Sequence, residues 1–321
     1  ISTCNLYSGN KLNYQALVNE EDGTVTTVVE GATETCVTTT TIEERLQVVK
    51  NVANNLITTI SGINLGIMSF VEGDKEGGFV RKEVVDIDAM DTATVTKTNK
   101  TVLQEVVNSI NHNGHTPLAE TLYEATRYLK GEAPDFGSGG KSVANSLTGT
   151  NYKSPITDSC QATNNIILLS DGQPYSDFNH NDGIQTYLNT DDSIGEFKGA
   201  SEYDCPSQST NSSDTNPSSS CLVDVAEFIA NNDLSTLTGT QSAALYTIGF
   251  ANDLAVMEDA AAAGEGNYYQ SNSYTELTDT LNNIILRVLA SDSTFMSPAV
   301  SVNAFNRLQH NDEIYYGMFS P

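Results

Sequence analysis

Two oxygen-bearing side chains, Thr116 and Asp171, stand where the sequence predicts secondary-structure elements to begin or end. Asp171 follows a fully apolar run, Ile166–Leu169, and Gly172 behind it lets the backbone turn sharply. Thr116 follows a glycine-containing turn and precedes Pro117, and proline is favoured at the first position of a helix. Mg²⁺ prefers such oxygens, taking one or two carboxylates and keeping several waters. The simpler alternative is that Thr116 only caps its helix and Asp171 only starts a turn.

A second set of oxygen ligands, Asp177, Asn179 and Asn181, resembles part of a calcium-binding loop. Such a loop has glycine at its sixth position and a bidentate glutamate at its twelfth. Here Gly183 comes one position late, and Leu188 stands where the glutamate is expected. A solvated acidic loop is the alternative interpretation.

Catalytic chemistry finds little support, and we expect that this chain is not an enzyme. Cys160 precedes a strand with no histidine nearby, and neither a Gly-x-Ser-x-Gly turn nor a lysine-containing phosphate loop occurs. An α/β-hydrolase-like enzyme is the catalytic alternative. The histidines show no paired spacing of metal ligands, so we expect surface positions for His112, His115, His180 and His310.

The charge balance excludes one class of partner. Acidic residues number 41 against 15 basic ones, which gives a formal charge of −26. Because nucleic-acid binding relies on lysine and arginine contacts to phosphate, we expect no nucleic-acid partner.

No apolar run approaches the length of about 18 residues that a membrane span needs, so we expect no membrane span.

The cysteines indicate an oxidising compartment, because they are widely spaced and none belongs to a CxxC pair. Cys205 and Cys221 bracket a polar segment, and Cys4 and Cys36 bracket the N-terminal region, so proximity favours these two disulfides. Other pairings stay open, since proximity is the only argument. Cys160 is left without a partner in this scheme.

Alternating helical and strand patterns would position the candidate ligands. Apolar spacing predicts helices over 42–60, 103–110, 117–129, 222–230, 254–263 and 273–289, and strands over 24–29, 63–70, 80–87, 166–169 and 245–250. This order predicts an α/β fold: a doubly wound, mostly parallel sheet with helices on both faces and long loop insertions. Ligands bind such sheets at the carboxyl ends of the strands, where Thr116 and Asp171 should lie.

We expect three regions along the chain. Residues 1–40 form an N-terminal insertion or loop region, 41–290 form the α/β domain, and 291–321 form a linker and a β-hairpin that leads to a further domain. The hairpin is predicted because apolar and polar residues alternate after Pro298 and a turn-rich cluster follows.

Two segments resemble the metal-site loops of von Willebrand factor A domains. They are GHTPLAETL at 114–122 and IILLSDGQP at 166–174, and LGIMSF at 65–70 is similar to the family's second strand. The family fold is a doubly wound sheet whose metal-ion-dependent adhesion site takes oxygens from three loops. The resemblance therefore implies a Mg²⁺ or Mn²⁺ site, with Ca²⁺ as a further option, that includes Thr116 and Asp171.

Within that family, the phrase TPLAETLYEA at 116–125 and the placement of Cys160 resemble pilus-tip adhesins of the PilC/PilY type. The ending at 300–319 is similar to the start of their C-terminal β-propeller. The resemblance implies an extracellular adhesion module at the tip of a type IV pilus or on the bacterial surface. Its partners would be a host or surface ligand, protein or glycan, and the minor pilins. A structural pilus-tip part for assembly or force sensing is the alternative.

One departure concerns the first metal loop. The family's first strand lies at the centre of the sheet and ends in Asp-x-Ser-x-Ser, a motif that occurs nowhere in this sequence. Either that strand lies upstream of Ile1, or the site is degenerate. In both cases Thr116 and Asp171 supply only part of the ligand set.

Overall fold

The computed structural model describes residues 44–73, 76–111, 114–159, 163–190, 203–206 and 220–291, and the backbone of three strands near the N-terminus. Those strands form an antiparallel meander of β1 (Asn13–Val18), β2 (Thr24–Glu30) and β3 (Val37–Thr41). The sequence predicts β2 alone. The expected C-terminal hairpin and Cys4, Cys36 and Cys160 lie outside the described residues.

The chain divides into two compact units, Ile1–Val48 and Val49–Pro321. The first contains the meander, and the second contains nearly all of the elements that follow. In chain order these are α1 (Arg45–Thr59), β4 (Asn64–Phe70), β5 (Gly78–Asp86), α2 (Asn99–Ser109), α3 (Leu118–Lys130), β6 (Leu147–Thr148), β7 (Asn151–Tyr152), β8 (Thr163–Ser170), α4 (Asn181–Thr190), α5 (Leu222–Asn231), β9 (Ser242–Phe250), α6 (Ala255–Ala263), β10 (Tyr268–Ser271) and α7 (Tyr274–Ser291). The predicted α/β class is confirmed. The sequence does not predict α4, β10 or the short hairpin β6–β7.

A parallel sheet of three strands, in the order β10–β9–β8, forms one half of this unit. β9 lies in the middle, and its side chains are buried along nearly its whole length because α5 and α6 pack on it. A strand without polar alternation, such as Ile166–Leu169 in β8, suits a parallel sheet. The parallel part of the predicted fold is therefore confirmed.

The other half is an antiparallel ladder of β4 and β5. Apolar clusters cover both of its faces. One cluster joins α1 and α2 through Ile57, Leu103 and Val107, and the other joins α3 through Tyr128. Helices therefore pack on both faces of this two-stranded ladder.

The two ladders do not merge into one sheet within the described part of the chain. There β4 pairs only with β5, and β8 pairs on one side only, with β9. Side chains from Leu65 to Phe70 of β4, and most of those described in β8, are only half-buried. Each of these strands therefore keeps one edge without a paired strand among the described residues.

Residues 114–116 connect the carboxyl ends of β4 and β8. Gly114 pairs in parallel with Gly73, just beyond β4, and Thr116 pairs antiparallel with Tyr175, just beyond β8. Thr116 and Tyr175 exchange backbone hydrogen bonds of 3.2 and 3.1 Å. A Cβ at position 114 would stand 3.0 Å from a backbone oxygen, so this close approach requires glycine. The carboxyl ends of strands β4 and β8 therefore meet at one edge, which is called the carboxyl edge below.

Cys205 and Cys221 form a disulfide with their Cα atoms 4.9 Å apart, the pair expected from the sequence. Both residues are buried in the main apolar core, together with Tyr203 and Leu222. The bridge therefore fixes both ends of the polar segment between them to the core.

Among the described helices, none combines the length and apolar composition that crossing a membrane requires.

Candidate functional site

Thr116 and Asp171 lie at the carboxyl edge, in neighbouring loops. Oγ1 of Thr116 would be 3.8 Å from a Cβ placed on Gly172, the residue after Asp171. Thr116 is half-buried and Asp171 is exposed. The structure thus places the Thr116 hydroxyl beside the loop that begins at the exposed Asp171.

The backbone around Asp171 is held by polar contacts. The Ser170 hydroxyl donates to the carbonyl of Gly172 at 2.8 Å and accepts from its N–H at 3.2 Å. The side-chain amide of Asn252, beyond β9, donates to the carbonyl of Asp171. These bonds to the backbone of residues 171 and 172 fix the position of Asp171.

Helix α3 is capped by Asp177 and not by Thr116. The N-cap residue is Pro117, which has no capping side chain. Oδ1 of Asp177 accepts the N–H groups of Ala119 and Glu120 at 2.9 and 3.2 Å. The alternative in which Thr116 merely caps its helix is therefore wrong, since a distant carboxylate performs that role.

The calcium loop expected from Asp177, Asn179 and Asn181 does not form. Residues 181–190 are helix α4 and not the second half of a loop. Asp177 caps α3, Asn179 donates its amide N–H to the loop before β5, and Asn181 donates to the carbonyl of Pro206 at 2.8 Å. Because the chain enters a helix midway, these side chains bond different parts of the protein.

A cluster that the sequence does not predict lies near this edge and consists of Glu76, Glu120 and His180. One ligand atom from each residue lies within 4.8 Å of the others. Nδ1 of His180 is 2.9 Å from Oε2 of Glu76 and 3.4 Å from Oε1 of Glu120. The sequence predicts a surface position for His180. Its ring is 48% exposed, but it also contacts the fully buried Glu120.

Two glycines bring the loop before β5 against α3. Gly77 has a φ of 75°, and a Cβ there would lie 2.1 Å from the ring of Phe136. At Gly78 a Cβ would lie 2.5 Å from the side chain of Thr121 in α3. A side chain at position 77 would displace this loop from Phe136, and one at position 78 would displace the start of β5 from α3, so either would move Glu76.

Burial dominates the electrostatics of the cluster. Burial raises the pKa of Glu120, against the opposing effect of His180, and the Glu76 charge raises it further. Burial also raises the pKa of Asp177 well above its usual range, and the Glu120 charge adds to this. Contact with Glu120 raises the pKa of His180. The region therefore favours a bound positive charge, whether a proton or a metal ion.

Comparisons with known proteins give a weak likeness in fold. No family model matches the sequence, and the comparison with curated proteins found no match. The conserved hypothetical protein BatB from Bacteroides thetaiotaomicron is 12% identical, with a TM-score of 0.40, over 77% of this chain and 89% of its own. An aerotolerance-related membrane protein from Bacteroides fragilis NCTC 9343, with multiple mutations to serines, is 12% identical, with a TM-score of 0.37, over 76% of this chain and 89% of its own. At these values neither protein informs the function.

Proposed function

We propose that this chain is a von Willebrand factor A-like binding domain that holds a divalent metal ion at the carboxyl edge and binds a partner through it. The observation that carries the proposal is that the Thr116 hydroxyl lies beside Gly172, the residue after Asp171, although the two residues come from separate loops. Asp177 caps α3, so the Thr116 hydroxyl is not needed for that purpose. Both residues stand in segments that resemble the family's metal loops.

The ligand chemistry favours Mg²⁺ or Mn²⁺, with Ca²⁺ as a further option. A hydroxyl and one carboxylate leave coordination positions for water and for a carboxylate of the partner. In the family, the first metal loop follows the central strand, and this sequence lacks its Asp-x-Ser-x-Ser motif. In the described residues β4 and β8 each keep one edge unpaired, so such a strand, pairing with both, would bring the remaining oxygens to the same edge.

The finer proposal is an extracellular adhesin at the tip of a type IV pilus. Its support is the resemblance of TPLAETLYEA at 116–125 and of 300–319 to PilC/PilY-type proteins. The Cys205–Cys221 disulfide fits an oxidising compartment. The partners would then be a host or surface protein or glycan and the minor pilins, and no catalytic role is included.

Mn²⁺ titration tests the metal proposal, because free Mn²⁺ can be counted by its paramagnetic resonance signal. Thr116→Ala and Asp171→Ala should each weaken Mn²⁺ binding at least about tenfold, a difference of about 1.4 kcal/mol. Asp182→Ala, which removes an exposed carboxylate from the first turn of α4, is the matched control and should leave binding unchanged. Equal affinities in all four proteins, or no binding at all, would remove Thr116 and Asp171 from a metal site.

A further inference from the structure

Helix α3 contains two buried carboxylates, Glu120 and Glu124, that differ in their hydrogen bonding. Glu124 accepts backbone N–H groups from residues 135, 136 and 137 and the Tyr152 hydroxyl at 2.6 Å. Glu120, one helical turn earlier, is 0% exposed, and its carboxylate forms no hydrogen bond of good geometry, although Nδ1 of His180 lies 3.4 Å from Oε1. A buried carboxylate that is left without hydrogen bonds is unfavourable unless an opposite charge compensates for it. Glu120 therefore points to a cation in its surroundings.

The atoms facing Glu120 have the spacing of ligands that share one small ion. Oε1 of Glu120 is 3.4 Å from Nδ1 of His180, which is 2.9 Å from Oε2 of Glu76. Ligand atoms at about 2.0–2.1 Å from a tetrahedral zinc ion are separated by about 3.3 Å. We propose that Glu76, Glu120 and His180 form a metal site that takes Zn²⁺ and is separate from the Thr116–Asp171 site.

Neighbouring residues hold these ligands in place. The amide of Asn179 donates to Oε1 of Glu76, which leaves Oε2 directed at His180. The ring of Phe136 packs edge-on against His180, with ring centroids 4.9 Å apart. Such outer contacts orient metal ligands in known sites. Because His180 is half-exposed, an ion can reach the cluster from solvent.

The ligand types select the ion. Mg²⁺ and Ca²⁺ take oxygen ligands, whereas imidazole together with carboxylates suits Zn²⁺. Three protein ligands leave a fourth tetrahedral position for water or for a group on a partner. The Thr116–Asp171 pair offers only oxygen. The zinc proposal therefore does not depend on the proposed function.

Zn²⁺ titration by calorimetry on the full chain, stripped of metal and with free thiols alkylated, tests this site. We expect one equivalent of Zn²⁺ to bind and to raise the unfolding temperature. Glu120→Gln and His180→Gln should each weaken binding at least tenfold. Co²⁺ in place of Zn²⁺ should give the visible absorption of a tetrahedral site, and both variants should lose it.

Matched variants separate lost binding from lost folding. Glu72→Gln, an exposed residue of the same loop as Glu76, and His115→Gln, which contacts Tyr175, should bind Zn²⁺ as the native chain does. Glu120→Gln removes a buried charge and its 3.4 Å contact with His180 but keeps the size of the side chain, so its metal-free unfolding temperature should stay close to the native one.

The result that overturns the site is an absence of Zn²⁺ binding, or Zn²⁺ affinity that either Glu120→Gln or His180→Gln leaves unchanged. Asp171→Ala should leave Zn²⁺ affinity unchanged, and His180→Gln should leave Mn²⁺ affinity unchanged. The two metal proposals can therefore fail separately.

Discussion

Replacing Asp177 with alanine should destabilise the second unit through the start of α3. The buried carboxylate accepts the N–H groups of Ala119 and Glu120 and the hydroxyl of Ser220. The hydroxyl can turn to another acceptor, but the two helix N–H groups lose theirs. A lost helix cap costs about 0.5–2 kcal/mol, and a buried donor left unpaired costs about 1–3 kcal/mol. We therefore expect the free energy of unfolding to fall by about 2–4 kcal/mol.

Asp177→Asn separates the cap from the charge. Oδ1 accepts both N–H groups, at 2.9 and 3.2 Å, and Oδ2 also accepts that of Ala119 at 3.0 Å, so an amide oxygen in the Oδ1 position keeps most of the cap. The amide nitrogen would take the place of Oδ2 and donate to Ser220. Burial and the Glu120 charge hold the pKa of Asp177 well above its usual range, so a neutral amide should be tolerated at a cost of about 1 kcal/mol.

Urea unfolding followed by circular dichroism measures the free-energy differences, and thermal unfolding measures the shifts of the thermal midpoint. A unit of this size loses about 2–4 °C of thermal midpoint per kcal/mol, so Asp177→Ala should lower the midpoint by about 4–16 °C. Asp182→Ala, an exposed residue in the next helix, should change stability by less than about 0.5 kcal/mol. Our assignment of the cap is refuted if Asp177→Ala loses no more than Asp182→Ala, or if the asparagine variant is as unstable as the alanine one.

Gly77→Ala should lower the urea midpoint more than Gly73→Ala. Both glycines have positive φ, 75° and 85°, but only a Cβ at position 77 would overlap Phe136; equal losses would contradict this packing. Burial raises the pKa of Glu120 and Glu124, so the folded chain keeps protons that the unfolded chain releases above about pH 4.3. Stability should therefore fall as the pH rises above about 4 towards the raised values. Glu120→Gln should flatten this decline in thermal midpoints measured between about pH 4 and 8, and an unchanged profile would argue against burial as its cause.

The sequence predicts long elements well and short ones poorly. β8, β9, α3 and α7 have enough apolar residues at regular spacing to indicate both their type and their approximate limits. In α4 the apolar positions that become buried are only Ile184 and Leu188, a single pair four residues apart. β10 has four residues. Segments this weak depend on tertiary contacts that no local pattern contains.

Strand pairing and the candidate sites also differ in how far they can be predicted from the sequence. Periodicity indicates which face of a strand is buried, but it does not name the neighbouring strand, so the separate ladders of β4 and β8 were not foreseeable. The closeness of the loops that carry Thr116 and Asp171 could be predicted because strand ends collect at one edge. The Glu76–Glu120–His180 cluster could not, because its members come from a loop, a helical turn and a pre-helical position. The same holds for Asp177, which bonds to Ala119 across 58 positions of sequence.

The Cys205–Cys221 bridge determines where this protein can accept new sequence. Its Cα atoms stay 4.9 Å apart whatever lies between them. The flanking residues are also anchored, since Ser220 donates to Asp177 and the carbonyl of Pro206 accepts from Asn181. Doubling the length of a closed loop costs only about 0.6 kcal/mol in chain entropy. Residues 207–219 are therefore the position at which an affinity tag, a fluorophore site or a foreign epitope can be inserted while the core stays as it is.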